Sequence, residues 1–180
     1  MQLDKYQASV LAFLFERLPI DDDADSLEFS LSSAFRGKYR AVHSEIEFTD
    51  QPARVVFTLP TYSNSVFLAL ARASARDTAL VLANLEDYER ESSLQLQLGE
   101  VIITPHHALL SADTPQSVIL FRTATSLDCS KVPDCQTIEG KPTLFFLVVP
   151  LTTEECEFRC QHGHDALISR FQADQKDIFF

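Results

Sequence analysis

Apolar residues are densest in one short stretch, and the arrangement of the rest follows from it. Leu144, Phe145, Phe146, Leu147, Val148 and Val149 are apolar without a break, and Pro150 closes the run. A run of that length, rich in aromatic and β-branched side chains, reads as a strand buried on both faces. Such a strand belongs in the middle of a sheet, so the remaining chain has to cover it on two sides.

Upstream, Leu3, Tyr6, Val10, Phe13 or Leu14, and Leu18 recur at helical spacing, which predicts a helix over 3–18 that stops at Pro19. Residues 26–31 alternate strictly and read as a half-buried strand. Tyr39 to Phe48 follows with Val42, Ser44, Ile46 and Phe48 on one face. Arg54 to Leu59, ended by Pro60, is a third strand. The three suggest a meander with one wet face.

Residues 63–76 read as a helix, with Val66, Phe67, Leu70, Ala71 and Ala73 on one side. From Thr78 to Leu85 the pattern fits two structures: a helix running on through Tyr88, or a short buried strand over 79–83. Leu94, Leu96 and Leu98 alternate with glutamine, and Gly99-Glu100 offers a turn into Val101-Ile102-Ile103, which predicts a hairpin. Residues 117–123 are a further strand. Residues 128–140 form a loop with a short strand, ending in a Glu139-Gly140 turn.

After Pro150 the punctuation is dense. Thr152 and Glu155 stand at the spacing of a capping box, with Leu151 just outside it. The helix so begun runs to about His162, and Gly163 stops it. Asp165 is placed to cap a second helix whose Leu167, Ile168 and Phe171 share a face. These elements predict an α+β fold: a mostly antiparallel, mixed central sheet covered by helices. The expectation is a single domain over 1–180, with a helix and an acidic loop in residues 1–22. There is no internal repeat and no interdomain linker.

Charge narrows the partners. The net charge is −11, with 14 acidic and 9 basic residues in positions 1–90 and 12 and 6 in 91–180. A uniformly acidic chain disfavours nucleic acid and anionic membrane and favours a basic protein partner. No stretch approaches the about 18 apolar residues of a membrane span. The N-terminus lacks the basic and apolar regions of a secretory signal, so the expected location is the cytoplasm. There Cys129, Cys135, Cys156 and Cys160 stay reduced.

Few residue groups invite chemistry. Cys156, Cys160, His162 and His164 could offer zinc two thiolates and two imidazoles, but the spacing is not that of a zinc-binding knuckle. They read better as two thiols on an apolar helix face and two histidines near a helix C-terminus. His106-His107 is an adjacent pair that could meet a cysteine in space. Asp21, Asp22, Asp23 and Asp25 lack the glycine and distal glutamate of a calcium loop and read as a solvated turn. Glu86-Asp87 and Glu154-Glu155 read as solvated faces. Arg36, Lys38 and Arg40 form a local basic cluster that reads as a solubilising edge. With four glycines in the chain, no phosphate-cradling loop is formed. The residues therefore assign no catalytic group, no metal and no cofactor.

One family is resembled. Val149-Pro150-Leu151, Glu154-Glu155, His162-Gly163, and Ala166-Leu167 leading to Phe171 are similar to the C-terminal signature of the suppressor-of-fused-like domain, above all in its bacterial members. Glu139-Gly140-Lys141 resembles the turn before that family's strand. Upstream, Leu59-Pro60 and then Phe67-Leu68-Ala69-Leu70-Ala71-Arg72 look like its strand, proline and helix. In that pattern Asp77-Thr78 opens an extended segment, which favours strand over helix at 79–83. The outline covers about 40–171 and is specific at 140–171. Residues Leu82 to Glu86 depart from it, standing where members commonly carry aromatic, glycine and histidine residues.

The resemblance implies an α+β interaction module rather than an enzyme, with Pro150, Thr152, Glu155, His162, Gly163 and Leu167 as a structural signature. It implies an immunity protein that neutralises the cognate toxin of a bacterial polymorphic or contact-dependent toxin system, and the acidic charge points to a basic toxin. The alternatives are a cytosolic chaperone for a secreted effector and, second, a small Cys/His-dependent hydrolase. As monomer or homodimer, the protein would bind protein rather than nucleic acid or membrane.

Overall fold

The run at 144–149 lies inside β8 (Lys141–Leu151), which sits between neighbours on both sides. The structure is a computed structural model that describes residues 2–20, 24–31, 38–48, 51–104 and 115–180. Its other elements are α1 (Lys5–Phe15), β1 (Asp25–Phe29), β2 (Tyr39–Phe48), β3 (Gln51–Leu59), β4 (Ser65–Ala71), α2 (Ala75–Ser92), β5 (Val101–Ile103), β6 (Ser117–Phe121), β7 (Cys135–Ile138), α3 (Thr153–His162) and α4 (His164–Asp174). Among the described residues, the strands form one sheet ordered β1-β2-β3-β4-β8-β6-β5, and β7 lies against the start of β8. Strand pairings are antiparallel except β4–β8, which is parallel. The architecture is the mixed α+β sheet expected.

Strand β8 supplies both cores. Phe145, Leu147, Val149 and Leu151 point to one face, where Val10 and Leu14 of α1 and Leu167 of α4 cover them. Phe146 and Val148 point to the other, under Ala79, Leu82, Ala83 and Leu85 of α2. The alanines let the helix lie close to the sheet, and each face excludes water from one half of the strand.

Pro150 does not end the strand, as its position suggested; β8 runs on to Leu151. The register explains why it is tolerated. The N–H of Leu120 bonds Glu100 on the β5 side, so Leu120–Val148 and, two residues on, Val118–Pro150 are non-hydrogen-bonded pairs. The N–H that proline lacks would point away from β6, past the stretch where β4 is paired.

Two adjacent elements exchange the structures read for them. Residues 65–71, expected in a helix, form β4, and 79–83, expected as a strand, lie inside α2. All of β4 is buried: Val66, Leu68 and Leu70 face one core, Phe67, Ala69 and Ala71 the other. A strand covered on both faces shows no polar alternation and cannot be told from a buried helix by its period. Ser74 marks the true boundary, accepting a hydrogen bond from the Asp77 N–H at 3.1 Å.

The hairpin expected between 94–98 and 101–103 is absent. Leu96 is buried outside any strand, the Gly99 N–H bonds Leu120, and β5 pairs with β6. The Glu139-Gly140 turn does form, both residues having positive φ, and carries β7 into β8.

At the C-terminal end, Thr152 and Glu155 close the capping box in both directions, at 3.2 and 2.8 Å. Asp165 is not a cap. Gly163 both ends α3 and starts α4, at φ 87° and ψ 174°, and Asp165 falls in the first turn. That backbone region is open almost solely to glycine. Beyond α4, Phe179 bridges Leu70, and the Phe180 N–H bonds Leu70 at 2.9 Å, extending the inner edge of β4 after β8 has diverged.

Two substitutions test this account. Phe145→Ala, at a fully buried ring, should lower unfolding free energy by about 3–5 kcal/mol in urea titration. Gly163→Ala meets no atom within 4 Å, so its cost should be that of the backbone alone, about 1–3 kcal/mol, with α3 and α4 retained by circular dichroism.

Candidate functional site

The residues singled out from sequence are not drawn into one centre. Cys156 packs against the core on the α1 side, and its Sγ lies 2.9 Å from the Ser117 hydroxyl. Cys160 is exposed, as is Cys135. Cys129 is buried, and burial pushes its thiol up to about 12, far from the reactive thiolate. The His162 ring packs tilted against Phe158, with centroids 4.5 Å apart. His164 lies near Phe121, next to where Arg159 donates to the Gly99 carbonyl at 3.0 Å. Here α3 and α4 dock onto the turn before β5. Among the described residues, no three His, Cys, Asp or Glu side chains are grouped to hold a metal ion. His106, His107, Asp21, Asp22, Asp23 and Arg36 lie outside the described residues.

The remaining basic cluster is internally satisfied. Lys38 Nζ and Arg40 Nε reach the Glu28 carboxylate at 2.8 and 3.2 Å, and Arg40 also donates to Gln7 at 2.6 Å. Glu154 is exposed and pairs with Arg170. Glu155 and Lys176, both largely covered, pair at 2.9 Å.

The pair Glu86-Asp87, read as solvated, is the main correction. Glu86 is fully buried, and its Oε1 accepts the N–H groups of Thr61 and Tyr62 at 2.6 and 2.8 Å. One turn on, Glu89 is 5% exposed; its Oε1 accepts the Leu96 N–H at 2.8 Å and the Ser65 hydroxyl at 2.9 Å. The second oxygen of each carboxylate is buried, and Ser63 also serves both groups, through its backbone N–H to Glu86 and its side chain to Glu89. Burial pushes Glu86 up to about 7, opposed by its backbone donors. Glu89 is raised for the same first reason, while hydrogen bonds from Leu96, Ser65 and Ser63 oppose it. Asp87 faces the other way, accepting from the Tyr39 hydroxyl and from Arg90 Nη2, the latter at 2.7 Å.

A sequence signal was available. Leu82, Leu85, Glu86 and Glu89 stand at i, i+3, i+4 and i+7, so the two glutamates continue the helix's apolar stripe onto the sheet.

Beside Glu89 opens a pocket of about 300 Å³, with Tyr62, Ser63 and Asn64 on one wall and Arg90, Leu94 and Gln95 on the other. A larger hollow of about 570 Å³ lies between Phe121, Phe171 and Ile178. Its lining is mainly apolar, and the one charged group in it, Lys176, is already paired with Glu155. The smaller pocket is the more polar of the two.

A family model described as Suppressor of fused protein (SUFU) matches residues 42–179. The chain belongs to the suppressor of fused family. The matched span takes in the sheet from β2 to β8 and all of α2, α3 and α4. A crystal structure of a putative SUFU homolog from Neisseria gonorrhoeae superposes with a TM-score of 0.67 at 15% identity, covering 97% of this chain and 93% of that one. A structure described as the Sufu-Fu complex gives a TM-score of 0.67 at 9% identity, covering 91% and 82%. At such identities these two show a shared fold. No curated protein matches the sequence. The family is one of non-catalytic regulatory and binding proteins, and no described helix is long and apolar enough to cross a membrane.

Glu86 gives a pH test. Its acidity is weaker folded than unfolded, so its contribution to stability is full below about pH 4.5 and is lost as pH rises through about 7. Glu86→Gln should therefore gain about 3 kcal/mol relative to the parent between pH 4.5 and pH 8, read as the difference between two urea titrations. An unchanged difference across that range would contradict the burial described.

Proposed function

We propose that the protein is a non-catalytic binding module whose partner is a basic protein toxin, which it neutralises as an immunity protein. The observation that carries the reading is the family match over 42–179, joined to a net charge of −11. A protein of the same fold has been solved with a protein partner, in the Sufu-Fu complex. Acidic charge speeds encounter with a basic partner and disfavours partners of like charge. The module is a single domain over residues 1–180, and its site of action is the cytoplasm.

Affinity capture of the tagged protein from its native host, with the product of the adjacent gene also co-expressed, tests this. The expected result is a basic protein recovered in stoichiometric amount, toxic when expressed alone and harmless with this chain. Recovery of a partner through a disordered N-terminal segment, without protection from the mature protein, would replace the immunity reading with that of a secretion chaperone. Failure to recover any protein partner would end both.

A further inference from the structure

We propose that residues 176–180 exchange between two copies of the protein: each segment leaves β4 of its own chain and takes the same place on β4 of the other, giving a strand-exchanged homodimer. The segment lies along the inner edge of β4 where that edge has lost its neighbour, since β4 pairs with β8 only from Ser65 to Leu68. Beyond that point the Phe180 N–H bonds the Leu70 carbonyl and the Arg72 N–H bonds the Phe180 carbonyl, both at 2.9 Å. The Arg72 guanidinium lies over the Phe179 ring, 4.0 Å from its centroid, and pairs with Asp177 at 2.6 Å. Phe179 packs against the core on the α1 side and Phe180 against the core under α2.

The segment already in place defines what fits this edge. An occupant has to bring backbone groups for Leu70 and Arg72, an acid for the guanidinium, and two adjacent aromatic rings for opposite cores. A second copy brings the same sequence in the same register. Each contact of the closed chain is then remade between chains, twice over, by the two-fold symmetry of such an exchange. Lys176 follows the same rule at the near end of the segment. It pairs with Glu155 at 2.9 Å, and a second copy offers that carboxylate equally.

The segment turns back at a strained residue. Gln175, just after α4, has φ 49° and ψ 55°, a left-handed conformation that is unfavourable for a residue with a side chain. That conformation is needed only while the segment folds back on its own chain. With Gln175 in the right-handed region, α4 runs on through it and carries residues 176–180 out toward a neighbour. The turn also borders open space, because Gln175, Lys176 and Ile178 line the hollow of about 570 Å³. Little packed surface is therefore lost at the turn as the segment swings out, and a strained hinge of this kind favours exchange.

Charge-reversed variants test the exchange. Arg72→Asp sets two carboxylates against each other and Asp177→Arg two guanidinium groups, so each variant is mismatched within its own chain. A strand-exchanged pair holding one of each restores both matches. The two are mixed at high concentration and low salt, warmed short of unfolding, and analysed by size-exclusion chromatography with light scattering and by native mass spectrometry. The expected result is a dimer holding one chain of each kind, about threefold or more above the dimer of either variant alone, as two recovered exposed ion pairs allow. No dimer above that of either variant alone, or dimers in which the two chains assort at random, overturns the exchange. Should a charge variant fail to fold, the hinge decides on its own. Gln175→Gly, which removes the cost of the left-handed turn, should lower the dimer fraction, and Gln175→Val, which raises that cost, should increase it. Equal fractions in those two variants overturn the exchange as well.

Discussion

Everything in this fold answers to the need to exclude water from both faces of one strand. Phe145 and Leu147 on one side and Phe146 and Val148 on the other each require a cover. Two apolar faces cannot be served by one layer of helices, so α1 and α4 take one and α2 the other. The position of α2 follows from this, and so does its polar chemistry. Pressed onto the sheet, it carries Glu86 and Glu89 down with its apolar stripe, to where backbone N–H groups and two serines meet them. The carboxylates in turn tie the β3–β4 connection and the segment around Leu96 to the helix.

What was legible in the sequence was whatever leaves a one-sided or punctuated trace. Strand β2 lies over Tyr39–Phe48, as its alternation indicates, since one of its faces is partly wet. The capping box at Thr152 and Glu155 and the turn at Glu139-Gly140 stand where their residue types require. The errors fall where both faces are covered. Strand β4 and the first half of α2 are each nearly all apolar, and there period carries no information. The family outline favours strand at 79–83, while Ser74 and Asp77 stand at the spacing of a helix start. Glu86 and Glu89 lie buried although charge ordinarily marks exposure. Their position on the apolar stripe argued the opposite.

Family and electrostatics point the same way by independent routes. The match over 42–179 places the chain in a family of binding proteins, and the proposed basic partner rests on the net charge of −11.

The parallel pairing of β4 with β8 also has a kinetic side. Leu68 cannot meet Leu147 until residues beyond β8 have emerged from the ribosome, whereas β1 to β4 can pair among themselves much earlier. Contacts so distant in sequence form late, because the loop between them must close first. Throughout that interval the inner edge of β4, seven residues long and apolar on both faces, stands open to any other strand. The nascent protein is thus most vulnerable to misassembly at the line that later becomes its most protected interior.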